Sequence, residues 1–118
     1  MTRILCIEDE AALREDIVEE LNDAGYETFE AANGSIGYDA ILAHRPDLVL
    51  CDVNMPDMNG YELLTKLRET NEEFDDVPFV FLSALADRKD IIAGKKLGAD
   101  DYLTKPVDFE MLLVTVES

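Results

Sequence analysis

The sequence predicts an α/β fold: five β-strands alternating with five helices, (βα)5, in a doubly wound parallel sheet. Three observations carry this. The runs Ile4-Leu5-Cys6-Ile7, Leu48-Val49-Leu50-Cys51 and Phe79-Val80-Phe81-Leu82 are apolar throughout, as strands covered on both faces must be. Stretches with helical apolar spacing lie between them, with no long linker and no internal repeat. Each of several strand candidates ends on a polar residue: Glu8 and Asp9, Asp52, Ser83 and Lys105. In a parallel sheet all such ends lie along one edge, where ligands bind.

Arg3 to Ile7 is a short buried strand. The first helix follows, with Leu13, Ile17, Leu21 and Ala24 on one face and Glu15, Asp16, Glu19, Glu20 and Asp23 facing away. Gly25 ends it, as a glycine in the left-handed conformation commonly does. Tyr26 to Ala31 reads as a strand of mixed polarity and belongs nearer a sheet edge. Asn33 or Ser35 caps a second helix carrying Ile36, Ala40, Ile41 and Ala43, although Gly34 and Gly37 are poor helix formers at its start. Pro46 stops it.

Leu48 to Asp52 is the most apolar strand and should be central. A loop with Pro56 and Gly60 leads to a third helix with Leu63, Leu64 and Leu67. Five acids in the eight residues from Glu69 to Asp76 predict an exposed connection. Phe79 to Leu82 is a second central strand. Asp87 caps a fourth helix with Ile91, Ile92 and Leu97, closed by Gly98. Tyr102 to Thr104 is the fifth strand, and Asp108 caps a last helix with Met111, Leu112, Val114 and Val116. That helix is short and no glycine or proline stop follows it, as expected of a piece of a longer protein with its last helix truncated.

The 118 residues suit one domain, spanning residues 1–118, and 47% apolar residues suffice for a core. Twenty-seven acids against ten Lys and Arg residues give a net charge of −17. That charge repels phosphates, so direct nucleic-acid contact by this segment is not expected, whereas cationic partners and divalent cations are favoured. Cys6 and Cys51 have no CxxC partner and no Cys/His cluster for zinc, so they read as buried reduced thiols of a cytosolic protein. No signal peptide opens the chain, and the longest apolar stretch, 77–86, is too short to span a bilayer. A cytoplasmic chain without membrane contact is expected.

The strand-end residues together describe a site for phosphoryl chemistry. Three carboxylates in one pocket repel one another, so either one is protonated or a cation is bound. An all-oxygen site suits Mg²⁺, with Glu8, Asp9 and Asp52 as ligands and the Asn54 backbone carbonyl as a further one. An aspartate placed as Asp52 is can act as a nucleophile toward phosphorus. The Lys105 ammonium and the Ser83 hydroxyl can then neutralise and bind phosphoryl oxygens. Ala84 leaves room for the incoming phosphodonor, and Lys105-Pro106 is a plausible cis peptide.

The motifs Ile7-Glu8-Asp9, Asp52-Val53-Asn54-Met55-Pro56-Asp57-Met58-Asn59-Gly60, Phe81-Leu82-Ser83-Ala84 and Gly98-Ala99-Asp100-Asp101-Tyr102-Leu103-Thr104-Lys105-Pro106 resemble those of the receiver domain of two-component response regulators. The resemblance runs from Arg3 to about Val116. It implies strand order 2-1-3-4-5 and a phosphorylation-dependent switch that takes a phosphoryl group from a phosphohistidine. Asp52 would be the phosphoacceptor, Glu8 and Asp9 the Mg²⁺-binding acids, Ser83 the switch hydroxyl and Lys105 the phosphate-pairing lysine. Tyr102 would be the aromatic switch on the face of the fourth helix, fifth strand and fifth helix; from the residues alone it reads as a half-buried core tyrosine.

The implied partners are a histidine kinase or histidine phosphotransfer protein and a downstream output domain or protein. A homodimer formed on phosphorylation is compatible with the resemblance. The domain would assist its own phosphorylation and dephosphorylation without being a turnover enzyme. Asn54 and Leu85 flank the pocket and can tune how long the phosphate lasts. Glu8, Ser83 and Val107 depart from the commoner Asp, Thr and Phe, but no functional group is lost.

Other readings fare worse. A phosphatase of the haloacid dehalogenase class needs a second Asp two residues after the nucleophile, where this chain has Asn54. A flavodoxin-like cofactor carrier needs a hydroxyl- and glycine-rich loop where Glu8-Asp9-Glu10 stands. A receiver-like module that is never phosphorylated predicts lost pocket residues, and none is lost. A calcium loop counted from Asp52 fails at Pro56, Asp57 and Leu63. His44 reads as an exposed polar residue near a helix end.

Overall fold

The computed structural model describes residues 1–84, 88–96 and 98–117. Five strands, β1 (Arg3–Ile7), β2 (Glu27–Ala31), β3 (Leu48–Asp52), β4 (Phe79–Ser83) and β5 (Asp101–Thr104), form one sheet in the order β2-β1-β3-β4-β5. All neighbouring pairs are parallel. Five helices alternate with them: α1 (Ala11–Asp23), α2 (Gly34–His44), α3 (Gly60–Thr70), α4 (Arg88–Lys96) and α5 (Phe109–Glu117). The expected alternation and the implied strand order both hold. No helix among the described residues is long and apolar enough to cross a membrane.

Successive strand residues point to opposite faces of a sheet, and both faces here are covered. Leu5, Ile7, Val49, Cys51, Phe79 and Phe81 join Ile41 of α2 and the α3 leucines 63, 64 and 67 in one apolar cluster. Ile4, Cys6, Leu50, Val80 and Leu82 join Ile17 and Leu21 of α1 and Leu112 of α5 in the other. Full burial of one such aliphatic side chain contributes roughly 1.5–3 kcal/mol of transfer free energy. The uniform apolar runs of the central strands follow from this two-sided burial. Both cysteines are free and buried, on opposite faces. Burial first of all raises their pKa values, that of Cys6 to about 12.

Local signals set the helix boundaries. The Asn33 side chain accepts from the Ile36 amide at 2.8 Å, so Asn33 and not Ser35 caps α2. Asn59 and Glu62 form a reciprocal capping box at the start of α3. Asp108 Oδ1 accepts from the amides of Glu110 and Met111 and caps α5 as expected. Gly25 has φ of +96° and ends α1 in the left-handed region. The two glycines that weaken α2 in sequence are close-packing positions in space. A Cβ on Gly37 would lie 2.6 Å from Ile7 Cδ1, and one on Gly34 would lie 2.7 Å from the Met58 carbonyl oxygen.

Two expectations are corrected. Ala24 does not extend the buried stripe of α1; it is exposed, because the helix stops at Asp23 and Ala24 is its C-cap. The acid-rich segment 69–76 is not wholly an exposed connection. Glu69 and Thr70 finish α3, and Phe74, in a single 3-10 turn (Glu72–Phe74), is buried at 3% exposure, while the five acids stay in solvent. An apolar ring that can reach the core outweighs the charge around it. His44 is exposed as expected, but its ring stacks on Phe29 with centroids 4.0 Å apart. The expected cap Asp87, the stripe residue Leu97 and the pocket-flanking Leu85 lie outside the described residues.

Candidate functional site

Register brings the strand ends together. Ile7 of β1 pairs with Cys51 of β3, so Glu8 and Asp52 emerge side by side. Asp52 pairs with Leu82 of β4, and Ser83 with Thr104 of β5, which sets Ser83 and Lys105 along the same edge. The Lys105 amide donates to the Ser83 carbonyl at 2.8 Å. The peptide between Lys105 and Pro106 is cis, as read from the turn.

Glu8, Asp9 and Asp52 each bring a carboxylate oxygen within 4.8 Å of the other two. Glu8 and Asp52 are buried, at 0% and 2% exposure, and Asp9 is exposed. Between the buried pair lies the Lys105 ammonium, 2.8 Å from Glu8 Oε1 and 3.0 Å from Asp52 Oδ2. Glu8 Oε2 accepts from the Glu10 amide at 3.0 Å, whereas Oε1 lies beside the Lys105 ammonium without a well-formed hydrogen bond among the described residues. Asp52 Oδ1 accepts from the Asn54 amide at 3.2 Å, which fixes the first turn of the loop after β3.

Electrostatics follow from this packing. Burial pushes the Glu8 carboxyl up to about 7, and the Lys105 ammonium opposes that rise only in part. Asp9 loses some solvent, yet hydrogen bonding with Glu8 and Asp52 holds its pKa below the usual value. Burial by itself would lower the Lys105 pKa; Glu8 and Asp52 outweigh it, and the net shift is upward. One ammonium cannot neutralise three carboxylates. An oxygen-only donor set with surplus negative charge and a buried oxygen short of partners fits a small hard dication such as Mg²⁺.

The sequence-predicted residues Glu8, Asp9, Asp52, Ser83 and Lys105 thus share one edge, with Asn54 in the adjoining loop. Tyr102 is half-buried on the edge strand β5, packed against Phe81 at 5.7 Å between centroids. Three features went unread. The direct pairing of Lys105 with two of the carboxylates is one.

Arg14 is another. Its guanidinium donates to the Glu8 carbonyl at 2.7 Å and to Glu30 Oε1 at 3.3 Å, tying α1 to the turn that carries Glu8 and Asp9. The available signal was its spacing: Arg14 precedes Ile17 and Leu21 by three and seven positions, on the inward stripe. The third is Tyr61, three residues before Leu64, whose hydroxyl lies 2.9 Å from that of Tyr102.

A hollow of about 290 Å³ opens beside Lys105, Pro106, Phe109, Leu13 and Glu10, between the start of α1 and the turn after β5. Another, of about 320 Å³, lies at the opposite strand ends beside Asp47, Pro78, Asp100 and Val116, away from the carboxylates.

A family model described as response regulator receiver domain matches residues 4–117. The DNA-binding dual master transcriptional regulator RpaA of Synechocystis sp. is 37% identical over 118 residues, all of this chain and 48% of its own length. Response regulator ArlR of Staphylococcus aureus is 36% identical over all of this chain and 52% of its own length. The chain therefore spans about half the length of these relatives. Among solved structures, the chemotaxis protein CheY4 of Vibrio cholerae superposes with a TM-score of 0.94 at 32% identity, covering 99% of this chain and 97% of that one.

Proposed function

The chain belongs to the receiver domains of two-component response regulators, and from that premise we propose that Asp52 is its phosphoacceptor, served by Glu8, Asp9, Ser83 and Lys105. One observation carries this assignment: three carboxylate oxygens lie within 4.8 Å of one another with the Lys105 ammonium between Glu8 and Asp52. Asp52 is the buried acid at the end of a central strand, and its orientation is held by the Asn54 amide and Lys105.

An Asp52 carboxylate oxygen forms a bond to phosphorus as the bond from phosphorus to the phosphohistidine nitrogen breaks, and the histidine keeps that electron pair. Lys105 then exchanges its contact with Asp52 for one with a phosphoryl oxygen, and the Ser83 hydroxyl donates to another. Glu8, Asp9, Asp52 and the Asn54 carbonyl would hold Mg²⁺, whose charge offsets that of the transferring group. Tyr102 answers by lying inward more of the time, which shifts the population of the α4–β5–α5 surface.

The partner that supplies the phosphoryl group is a histidine kinase or histidine phosphotransfer protein, and an output domain or protein reads the result. Ile92 of α4 and Met111 and Val114 of α5 are exposed apolar residues suited to a homodimer formed on phosphorylation. The segment acts in the cytoplasm as a single domain, touches no nucleic acid or membrane itself, and turns over no substrate as a conventional enzyme does. Asp52→Asn decides the central assignment: acetyl phosphate should label the unaltered chain once and the variant not at all. Stoichiometric labelling of the variant would remove Asp52 from this role.

A further inference from the structure

Gly94 stands inside α4 and is buried, although glycine is among the poorest helix formers. A Cβ at this position would lie 1.7 Å from the Tyr102 hydroxyl oxygen, 2.7 Å from Tyr61 Cε1 and 2.9 Å from Tyr102 Cζ. Contacts that short are not tolerated, so the missing side chain is what admits both phenols beneath the helix. Their hydroxyls meet there at 2.9 Å. The Tyr61 ring also stands edge-on to Phe81, with centroids 5.0 Å apart and planes at 70°.

Tyr61 is coupled just as closely to the carboxylate edge. It follows Gly60, where a Cβ would lie 2.6 Å from the Asp52 carbonyl oxygen and 2.8 Å from Phe81 Cε1. Unbroken packing therefore leads from Asp52 through Gly60 and Tyr61 to Tyr102 and α4. Of these two half-buried tyrosines Tyr102 is the movable member, because it lies on the edge strand β5. Its ring can leave at the cost of its contact with Phe81.

We propose that Tyr61 is a positioning residue for this switch: its hydroxyl holds Tyr102 in the slot left by Gly94, and so sets how often Tyr102 lies inward. The proposal rests on the reading of Asp52 as phosphoacceptor and Tyr102 as the group that reports it. Specificity comes from the pair. A Cβ at position 94 would meet both phenols, the Tyr102 hydroxyl at 1.7 Å and Tyr61 Cε1 at 2.7 Å, so the glycine serves the two together.

The test uses the whole chain labelled with 3-fluorotyrosine, its four tyrosines assigned by single Tyr→Phe replacements. The ¹⁹F signal of Tyr102, with its solvent isotope shift, distinguishes a ring in the slot from one in water. Tyr61→Phe keeps the ring and should raise the outward fraction of Tyr102 about five-fold, the effect of losing one ordinary hydrogen bond. Gly94→Ala fills the slot and should leave Tyr102 almost wholly outward. Asp52 labelling by acetyl phosphate and the cooperative thermal transition should persist in Tyr61→Phe.

A Tyr102 signal unmoved by either replacement overturns the proposal, and a shift with Gly94→Ala alone overturns the role of Tyr61. Failure of the unaltered chain to label at Asp52 would instead remove the phosphoacceptor reading beneath it.

Discussion

The Lys105 ammonium lies 3.0 Å from Asp52 Oδ2, in a site where the same nitrogen reaches Glu8 Oε1 at 2.8 Å. The lysine carried over as a phosphate partner is therefore already the counter-charge of the acid assigned to accept the phosphate. Phosphorylation on this reading exchanges one ion pair for another, and does not create a pair where none existed.

Removing the ammonium should expose that balance. Lys105→Ala leaves two buried carboxylates without their shared cation and is expected to cost about 1–3 kcal/mol at pH 7. Saturating Mg²⁺ should recover most of the loss, since a dication bound to the folded form stabilises it by mass action. Urea unfolding with and without Mg²⁺ measures both effects. A deficit that Mg²⁺ leaves unchanged would mean that Lys105 does not balance the acids proposed to hold the cation.

The pH dependence of Mg²⁺ binding should follow Glu8. Its pKa is raised from 4.5 to about 7, chiefly by burial. The folded chain thus keeps a proton that the unfolded chain releases, and the ionised form bears the cost. Stability from this group is greatest below the unfolded value and declines as pH rises through the window from 4.5 to about 7. Mg²⁺ needs the ionised form, so its affinity should fall below about pH 7 and level off above it. Calorimetric titration across this range checks the sign, and Glu8→Gln should flatten the profile. An affinity that rises on acidification would contradict the environment described for Glu8.

Arg14 should matter to the metal without being a ligand. Its hydrogen bond to the Glu8 carbonyl, shared with Glu30, steadies the turn from which Glu8 and Asp9 project. Arg14→Ala is expected to weaken Mg²⁺ binding roughly 5–10-fold, in line with loss of a charge-assisted hydrogen bond. Arg14→Lys should recover only part, because an ammonium cannot serve two acceptors with a planar fork. The labelling rate at saturating Mg²⁺ should be close to that of the unaltered chain. A rate that stays low at every Mg²⁺ concentration would place Arg14 in some other role.

Gly37→Ala tests the close approach of α2 to β1. Alanine would ordinarily stabilise a helix by about 1 kcal/mol. Here its Cβ would meet Ile7 Cδ1 at 2.6 Å, one residue before Glu8. A net loss of about 1–2 kcal/mol in urea unfolding is expected, the clash outweighing the propensity. A stabilised variant would show that α2 can withdraw freely from the sheet.

The sequence by itself determined the order of elements, the central place of the apolar strands, and the strand-end positions of Glu8, Asp52, Ser83 and Lys105. These are legible because periodicity and turn chemistry are local properties, and because parallel strands must send their ends to one edge. Where local rules met packing, they failed: Ala24 lay past the end of its stripe, and Phe74 turned into the core from an acidic stretch. Only the tertiary structure decided that Lys105 bridges Glu8 and Asp52, that Arg14 grips the Glu8 carbonyl, and that Tyr61 meets Tyr102 over Gly94. Those partners stand 6 to 97 positions apart, by their residue numbers. Contact at such separations is set by strand register and by how closely helices approach the sheet, and neither leaves a periodic mark along the chain.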